Sequence, residues 1–286
     1  MTIRKSEKLF LLCLLLLGNL VFAQSPGMDR LTIPLSDPAR PVTLKAGLMN
    51  GGITVTGYAG KEVLVEARVR TEADEEERQR HNQKNKEKDK ALGMRRLEIT
   101  ATGLTVEEEN NVVEISTSSM NRTVDLNIQV PQRASLELSC LNDGDIKVDN
   151  LTGEFEINNT NGGVTLTNIS GAVVAHALNE NVVVTFTKVE PDKSMSFTSL
   201  NGDIDVTFPP DVRAKVKLKS DNGEIYSDFD VRLEPSTVKT EEDGRKKGGK
   251  YRIQLEKTMI GMINGGGPEM QFATFNGDIY IRKRKP

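Results

Sequence analysis

Carboxylates that recur at one position of a repeated phrase are the first candidates for chemistry in this sequence. Asp145, Asp203, Glu224 and Asp278 each follow a glycine directly. Clustered carboxylate oxygens bind hard cations such as Ca²⁺, and paired carboxylates can supply the acid and base of glycoside cleavage. The copies between Asp145 and Asp203 carry glycine or asparagine at this position, and the nonapeptide of calcium-binding β-rolls is absent. We therefore predict no metal, no cofactor and no catalytic carboxylate.

Nucleophilic catalysis would require a serine or cysteine beside one of the two histidines, His81 and His176. The sequence contains no Gly-x-Ser-x-Gly elbow. Cys140 continues an alternation of leucines, which favours a buried apolar role. We therefore predict that the protein is not an enzyme. The alternative that stays open is a carbohydrate-active enzyme, a polysaccharide lyase or a glycosidase, because β-helices also host such enzymes.

The acidic residues belong to a phrase of Asn or Asp, then Gly, then a polar or small residue, then a branched aliphatic residue. Copies start, in steps of 18, 18, 22 and 21 residues, at Asp143, Asn161, Asn179, Asn201 and Asn222, and two more start at Asn50 and Asn276. Repeats of this length indicate stacked units. Asn-Gly readily adopts a positive φ, so each copy is predicted to turn the chain tightly. The predicted structural turn residues are Asn161, Gly162, Asn201, Gly202, Asn222, Gly223, Asn276 and Gly277.

Alternating apolar residues follow each turn, as expected of strands with one buried face. We predict an all-β, single-domain parallel β-solenoid, or β-helix, with rungs of about 18 to 22 residues spaced about 4.8 Å apart. Its inward files would include Ile146, Val164, Val182 and Ile204, and its asparagines would form a ladder. The alternative is an antiparallel sandwich with Asn-Gly hairpins, which the regular spacing disfavours.

Stacking in sequence order would make Asp203 and Glu224 the only neighbouring turn acids. The end of the chain would then close the stack, with the charged residues 282–285 covering its exposed edge.

The chain begins with a predicted signal peptide, residues 1–23, with basic residues, an apolar run and a small-residue cleavage site before Gln24. Residues 24–286 form the predicted solenoid domain, with a charged polar insertion at 72–96 and a second polar loop at 240–250. Cleavage leaves 35 basic and 40 acidic residues, so the mature chain lacks the excess of positive charge that is typical of nucleic-acid-binding proteins. The rest of the sequence contains no second apolar run, so no transmembrane segment is predicted in the mature chain. We expect a periplasmic, cell-surface or secreted protein.

The segments 263–268 and 274–279, together with 200–204, resemble a family of exported bacterial domains known as putative adhesins, whose function is unknown. The resemblance spans roughly residues 44–282, and it implies a β-solenoid outside the cytoplasmic membrane. The insertion at 72–96 and Glu180, in a position usually held by glycine, depart from the family pattern. We expect an exported scaffold that binds envelope glycan or protein, or other copies of itself.

Overall fold

The computed structural model describes residues 28–70, 102–118, 122–234, 239–243, 251–254 and 258–285. The predicted signal peptide and the predicted insertion at 72–96, which contains His81, lie outside these ranges. The strands are β1 (Met28–Pro34), β2 (Val42–Asn50), β3 (Ile53–Tyr58), β4 (Glu62–Val69), β5 (Leu104–Glu109), β6 (Val112–Thr117), β7 (Val124–Pro131), β8 (Ala134–Asn142), β9 (Ile146–Asp149), β10 (Thr152–Asn159), β11 (Val164–Ala177), β12 (Val182–Val189), β13 (Met195–Ser199), β14 (Ile204–Phe208), β15 (Ala214–Ser220), β16 (Ile225–Ser227), β17 (Val231–Leu233), β18 (Lys239–Asp243), β19 (Tyr251–Gln254), β20 (Met259–Ile263), β21 (Glu269–Thr274) and β22 (Ile279–Lys283). Within the described ranges, no helix is long and apolar enough to cross a membrane.

Most strands lie in two parallel ladders that face each other across the core. The first sheet runs in the order β5, β6, β2, β8, β10, the end of β11, β13, β21, β15, β20 and β17. The second sheet runs β1, β4, β7, β3, β9, the start of β11, β12, β14, β22 and β16. Each rung is one strand of the first sheet followed by one of the second. The predicted all-β parallel β-solenoid is confirmed.

Alternation of apolar and polar residues along each strand produces the core. Ile146 pairs in register with Val164, Val164 with Val182, and Val182 with Ile204, and all four are fully buried. The predicted inward file is therefore confirmed. Continuous burial along such files supplies the hydrophobic stabilisation that one short rung lacks.

Four buried phenylalanines, Phe186, Phe197, Phe208 and Phe272, form an aromatic cluster in the core of the later rungs. Phe186 stacks on Phe208 with ring centroids 5.2 Å apart, and Phe197 stacks on Phe272 at 5.0 Å. Edge-on contacts at 6.3 to 6.4 Å join the two pairs. Aromatic packing of this kind adds to the stabilisation from burial alone.

The rungs do not stack in sequence order. The rung β2–β3 is inserted between β6–β7 and β8–β9, and the last rung, β21–β22, is inserted between β13–β14 and β15–β16. Sequence-order stacking was therefore a wrong expectation. Asp278 separates Asp203 from Glu224, because Ile204 pairs with Ile279 and Ile279 pairs with Ile225. Any rung with the same corner and the same inward files can take such a position.

Antiparallel strands cap both ends of the stack. At one end β5 covers β6, while β4 and then β1 cover β7; at the other end β20 and then β17 cover β15. The expectation that residues 282–285 cover the last edge was wrong, because β22 lies between β14 and β16. Arg282 instead binds Asp205 of β14, with Nε 2.7 Å from Oδ1. The predicted polar loop at 240–250 overlaps a separate two-stranded sheet of β18 and β19, and residues 244–250 lie outside the described ranges.

Candidate binding surface: the asparagine corner

The corner between the two sheets is built around glycines that touch the backbone of the adjacent rung. A Cβ atom on Gly162 would lie 2.0 Å from the carbonyl oxygen of Gly144. A Cβ atom on Gly202 would lie 2.2 Å from the carbonyl oxygen of Glu180, and one on Gly277 would lie 2.2 Å from that of Gly202. Gly223 makes the same approach to Gly277, at 2.0 Å. Backbone atoms cannot yield as a flexible side chain can, so these four rungs require glycine at this position, whereas Glu180 occupies it in the rung of Asn179.

The physical reason for these glycines differs from the one expected from the sequence. Gly162, Gly202, Gly223 and Gly277 do not have a positive φ, whereas Gly51, in the first copy of the phrase, has φ 126°. The Asn-Gly pairs were expected to need the left-handed region, and that reason was wrong for these four glycines. Contact between stacked rungs, instead of the local turn conformation, excludes a side chain there.

A continuous asparagine ladder runs along this corner. In each step an Nδ2 donates to the Oδ1 of the neighbouring rung, at distances from 2.8 to 3.3 Å. The members, in stacking order, are Asn50, Asn142, Asn161, Asn179, Asn201, Asn276 and Asn222. Each side-chain amide has two N–H groups, so the ladder leaves donor capacity facing outward. The eight predicted turn residues all lie at this corner.

Asn142, instead of Asp143, occupies the ladder position in its rung. Asn161 Nδ2 donates to Asn142 Oδ1 at 2.8 Å, whereas Asp143 has φ 63° and forms an extra residue in the turn. Because of this extra residue, Asp143 lies 18 residues before Asn161 and follows the spacing of the strands, but its side chain is not a member of the ladder.

The turn acids bind backbone amides of the adjacent rung. Gly163 N donates to Asp145 Oδ1 at 3.1 Å, and Asp278 N donates to Asp203 Oδ1 at 2.8 Å. Glu224 N likewise donates to Asp278 Oδ1 at 2.8 Å. These carboxylates therefore satisfy the corner backbone, as capping side chains do at a helix start. No group of three or more potential metal ligands is found among the described residues.

An exposed apolar column lies immediately beside the asparagine ladder. Its members directly precede five of the seven ladder asparagines and are Met49, Leu141, Leu178, Leu200 and Phe275; Thr160 and Asp221 precede the other two. Four of them are strongly exposed: Met49 46%, Leu141 40%, Leu200 41% and Phe275 47%. Leu178 is half-buried. Thr160 separates Leu141 from Leu178, so the column consists of a pair and a run of three. Apolar residues grouped on a surface in this way indicate an interaction site, whereas scattered ones do not.

This apolar column was not predicted, although the sequence contains a signal for it. Alternation along β8 and β13 places Cys140 and Ser199 on the inward side, so Leu141 and Leu200 must point outward. A large apolar residue out of phase with the inward pattern, repeated before successive asparagines, distinguishes the column from the core.

The remaining candidates for catalysis are held in structural roles. Burial raises the pKa of the Cys140 thiol to about 12, with smaller contributions from Asp125 and Asp145. Cys140 is buried at 4% exposure. His176 Nδ1 lies 2.8 Å from Thr198 Oγ1 on the adjacent strand β13. A thiol in this environment stays protonated at physiological pH and is a poor nucleophile.

The stacked rungs with their shared corner define the chain as a β-solenoid scaffold. It belongs to the Toastrack DUF4097 family, a family of unknown function whose model matches residues 109–259. The resemblance to the putative-adhesin family is confirmed. A comparison with curated proteins finds no match.

Two solved structures resemble the chain at low sequence identity. One is a putative cell adhesion protein from Clostridium sporogenes ATCC 15579, with 12% identity over 91% of this chain and 100% of that chain, and a TM-score of 0.46. The other is a putative adhesin, BF0245, from Bacteroides fragilis NCTC 9343, with 10% identity over 91% and 98%, and a TM-score of 0.37. Likenesses this distant bear on neither ligand nor activity.

The corner contacts predict opposite outcomes for two adjacent glycines. In Gly162→Ala the new methyl group meets the Gly144 carbonyl oxygen, so we expect a loss of unfolding free energy of roughly 2 kcal/mol or more. In Gly163→Ala the methyl group would lie 3.6 Å from the nearest atom, an ordinary contact, so we expect a change within about 1 kcal/mol. Denaturant unfolding measures both, and equal effects would contradict the assignment.

The environment of Cys140 predicts a thiol that is silent in the native protein. At pH 8 we expect iodoacetamide to leave Cys140 unmodified in the folded chain and to label it fully after denaturation, with peptide mass spectrometry locating the site. A raised thiol pKa leaves little thiolate to react, and burial blocks access. Rapid native labelling of Cys140 would show that the thiol is exposed and activated.

Proposed function

We propose that this chain is an exported, non-enzymatic scaffold that binds a cell-envelope polysaccharide along its asparagine corner. The observation that carries the proposal is the continuous asparagine ladder beside the apolar column. The ladder spans seven rungs, from Asn50 to Asn222, and five of them carry a residue of the apolar column, whereas the carboxylates of Asp145, Asp203 and Asp278 are engaged by backbone amides. The predicted signal peptide at residues 1–23 supports export, and the putative-adhesin name of the related structures fits an envelope role.

The chemistry of the corner suits a sugar chain. A sugar ring presents apolar C–H faces and a rim of hydroxyl groups, each of which can donate and accept hydrogen bonds. The ladder offers amide N–H and C=O groups at a spacing of about 4.8 Å, set by the strand separation. Exposed side chains such as Leu200 and Phe275 offer apolar contact to the ring faces at the same spacing. A linear polymer can therefore repeat one set of contacts from rung to rung.

A multivalent surface compensates for weak individual contacts. Exposed hydrogen bonds and partly exposed apolar contacts each contribute little, because water competes for them. Contacts that repeat on one rigid scaffold act together, so a long polymer binds more tightly than a short fragment. Affinity that rises steeply with the number of sugar units is the expected signature.

The test uses the purified protein with isolated envelope polysaccharides. We expect saturable pull-down without release of reducing ends or unsaturated products. For the double variant Leu200→Ser with Phe275→Ser we expect binding to fall about tenfold or more, as at other interfaces that lose central apolar contacts. The matched control is Val174→Ser, because Val174 is equally exposed, at 48%, on the outer face of the first sheet.

Three results would count against the proposal. Product release would favour the alternative, a polysaccharide lyase or glycosidase. Equal loss of binding in the Val174→Ser control would remove the corner as the binding surface. Binding of an envelope protein but of no polysaccharide would replace the proposed ligand class.

A further inference from the structure

The outer face of the first sheet carries charges of opposite sign at the two ends of the stack. One register-aligned column starts at the capping strand with Glu107, then Glu114, Lys45, Glu137 and Glu156. Lys45 Nζ lies 2.7 Å from Glu137 Oε2, and that hydrogen bond, with the charges of Glu137, Glu114 and Glu156, raises the pKa of the lysine. Glu107, Glu114 and Glu156 have no ion-pair partner among the described residues.

The opposite end of the same face carries three cations, with the exposed acid Glu269 in register beside Lys215. Lys215 and Lys217 of β15 and Arg232 of β17 point outward, since Lys215 pairs in register with Met262 and Met262 pairs with Arg232. Within the part of the chain that the structure describes, none of these three cations has an ion-pair partner. Met262, which lies between Lys215 and Arg232 on the same face, is exposed at 36%.

Within the described residues, both ends of the first sheet also end in a strand with one unpaired edge. Among the described strands, β5 pairs only with β6, and β17 pairs only with β20. An edge strand with unpaired N–H and C=O groups can accept another strand. β17 runs in the same direction as the parallel rungs, because it is antiparallel to β20 and β20 is antiparallel to β15. β5 runs in the opposite direction.

We propose that copies of this chain associate head to tail, with the β17 end of the first sheet in one copy meeting the β5 end in the next. Two copies in the same orientation would place β17 and β5 antiparallel, so the edges can exchange backbone hydrogen bonds. Glu107 and Glu109 of one copy would then face Arg232 of its neighbour, with Lys215 two strands behind it. Such a contact is heterologous, so it continues into a ring or an open filament and does not stop at a dimer.

Assembly would extend the proposed binding corner, although the inference does not rest on that function. The asparagine ladder lies parallel to the stacking axis, so head-to-tail copies would place their ladders end to end. Self-association is measured without any glycan, so the failure of one proposal is distinguishable from the failure of the other.

The first measurement is sedimentation velocity of the purified protein over a range of concentrations. We expect the weight-average mass to rise beyond twice the chain mass at low salt and to fall as NaCl is added, because exposed charges are screened. Arg232→Glu and Glu107→Arg, each alone, juxtapose like charges across the contact, so we expect the association constant to fall about tenfold or more. Lys188→Glu is the matched control, because Lys188 is an exposed lysine in the middle of the stack.

The most decisive experiment mixes the two single variants and measures whether they assemble with each other. Each junction in an alternating mixture again joins opposite charges, so we expect assembly to return when folded Arg232→Glu and Glu107→Arg proteins are combined. The same melting temperature in all variants shows that folding is unaffected. A wild-type mass independent of concentration, a mass that saturates at a dimer, or a mixture that fails to assemble would overturn the proposal.

Discussion

Backbone contact at the corner is the constraint on which the rest of this structure depends. In four rungs the position after the asparagine has room only for hydrogen, as the 2.0 Å approach between a Cβ on Gly162 and the Gly144 oxygen shows. This contact fixes the rungs in register. Register in turn aligns the aliphatic files inside the core and brings the asparagine amides within hydrogen-bond distance outside it. One steric requirement therefore determines both how the core residues align and how the surface asparagines align.

The same register accounts for the contacts of the acidic turn residues. The carboxylates of Asp145, Asp203 and Asp278 accept hydrogen bonds from main-chain amides of the adjacent rung, so they complete the backbone hydrogen bonding of the corner. What remains outside is a surface: amide groups, an apolar column and a face whose charge changes sign along the axis. Surfaces of this kind suit extended or repeated partners better than small molecules.

The fold could be predicted from the sequence because its signal is repeated: period-two alternation after a corner, returning every 18 to 22 residues. Rung order could not, because the phrases at Asn50 and Asn276 carry the same corner and the same inward residues as their neighbours. Hydrophobic burial is equally satisfied by several orders, and only long-range pairing distinguishes them. The role of glycine was also misjudged, since steric contact between rungs leaves no mark in the local sequence. The apolar column at Leu200 and Phe275 was visible only once inward and outward positions were known.

Disulfide trapping in the late rungs tests the stacking most directly. Ser196 pairs in register with Gln271, and Gln271 pairs with Lys217, so Ser196 and Lys217 lie two strands apart. Adjacent strands are about 4.8 Å apart, and a disulfide requires Cα atoms within about 7 Å. Under mild oxidation, Ser196→Cys with Gln271→Cys should form a disulfide, and Ser196→Cys with Lys217→Cys should not. Efficient trapping of the second pair alone would show that the rungs stack in sequence order and would contradict the account.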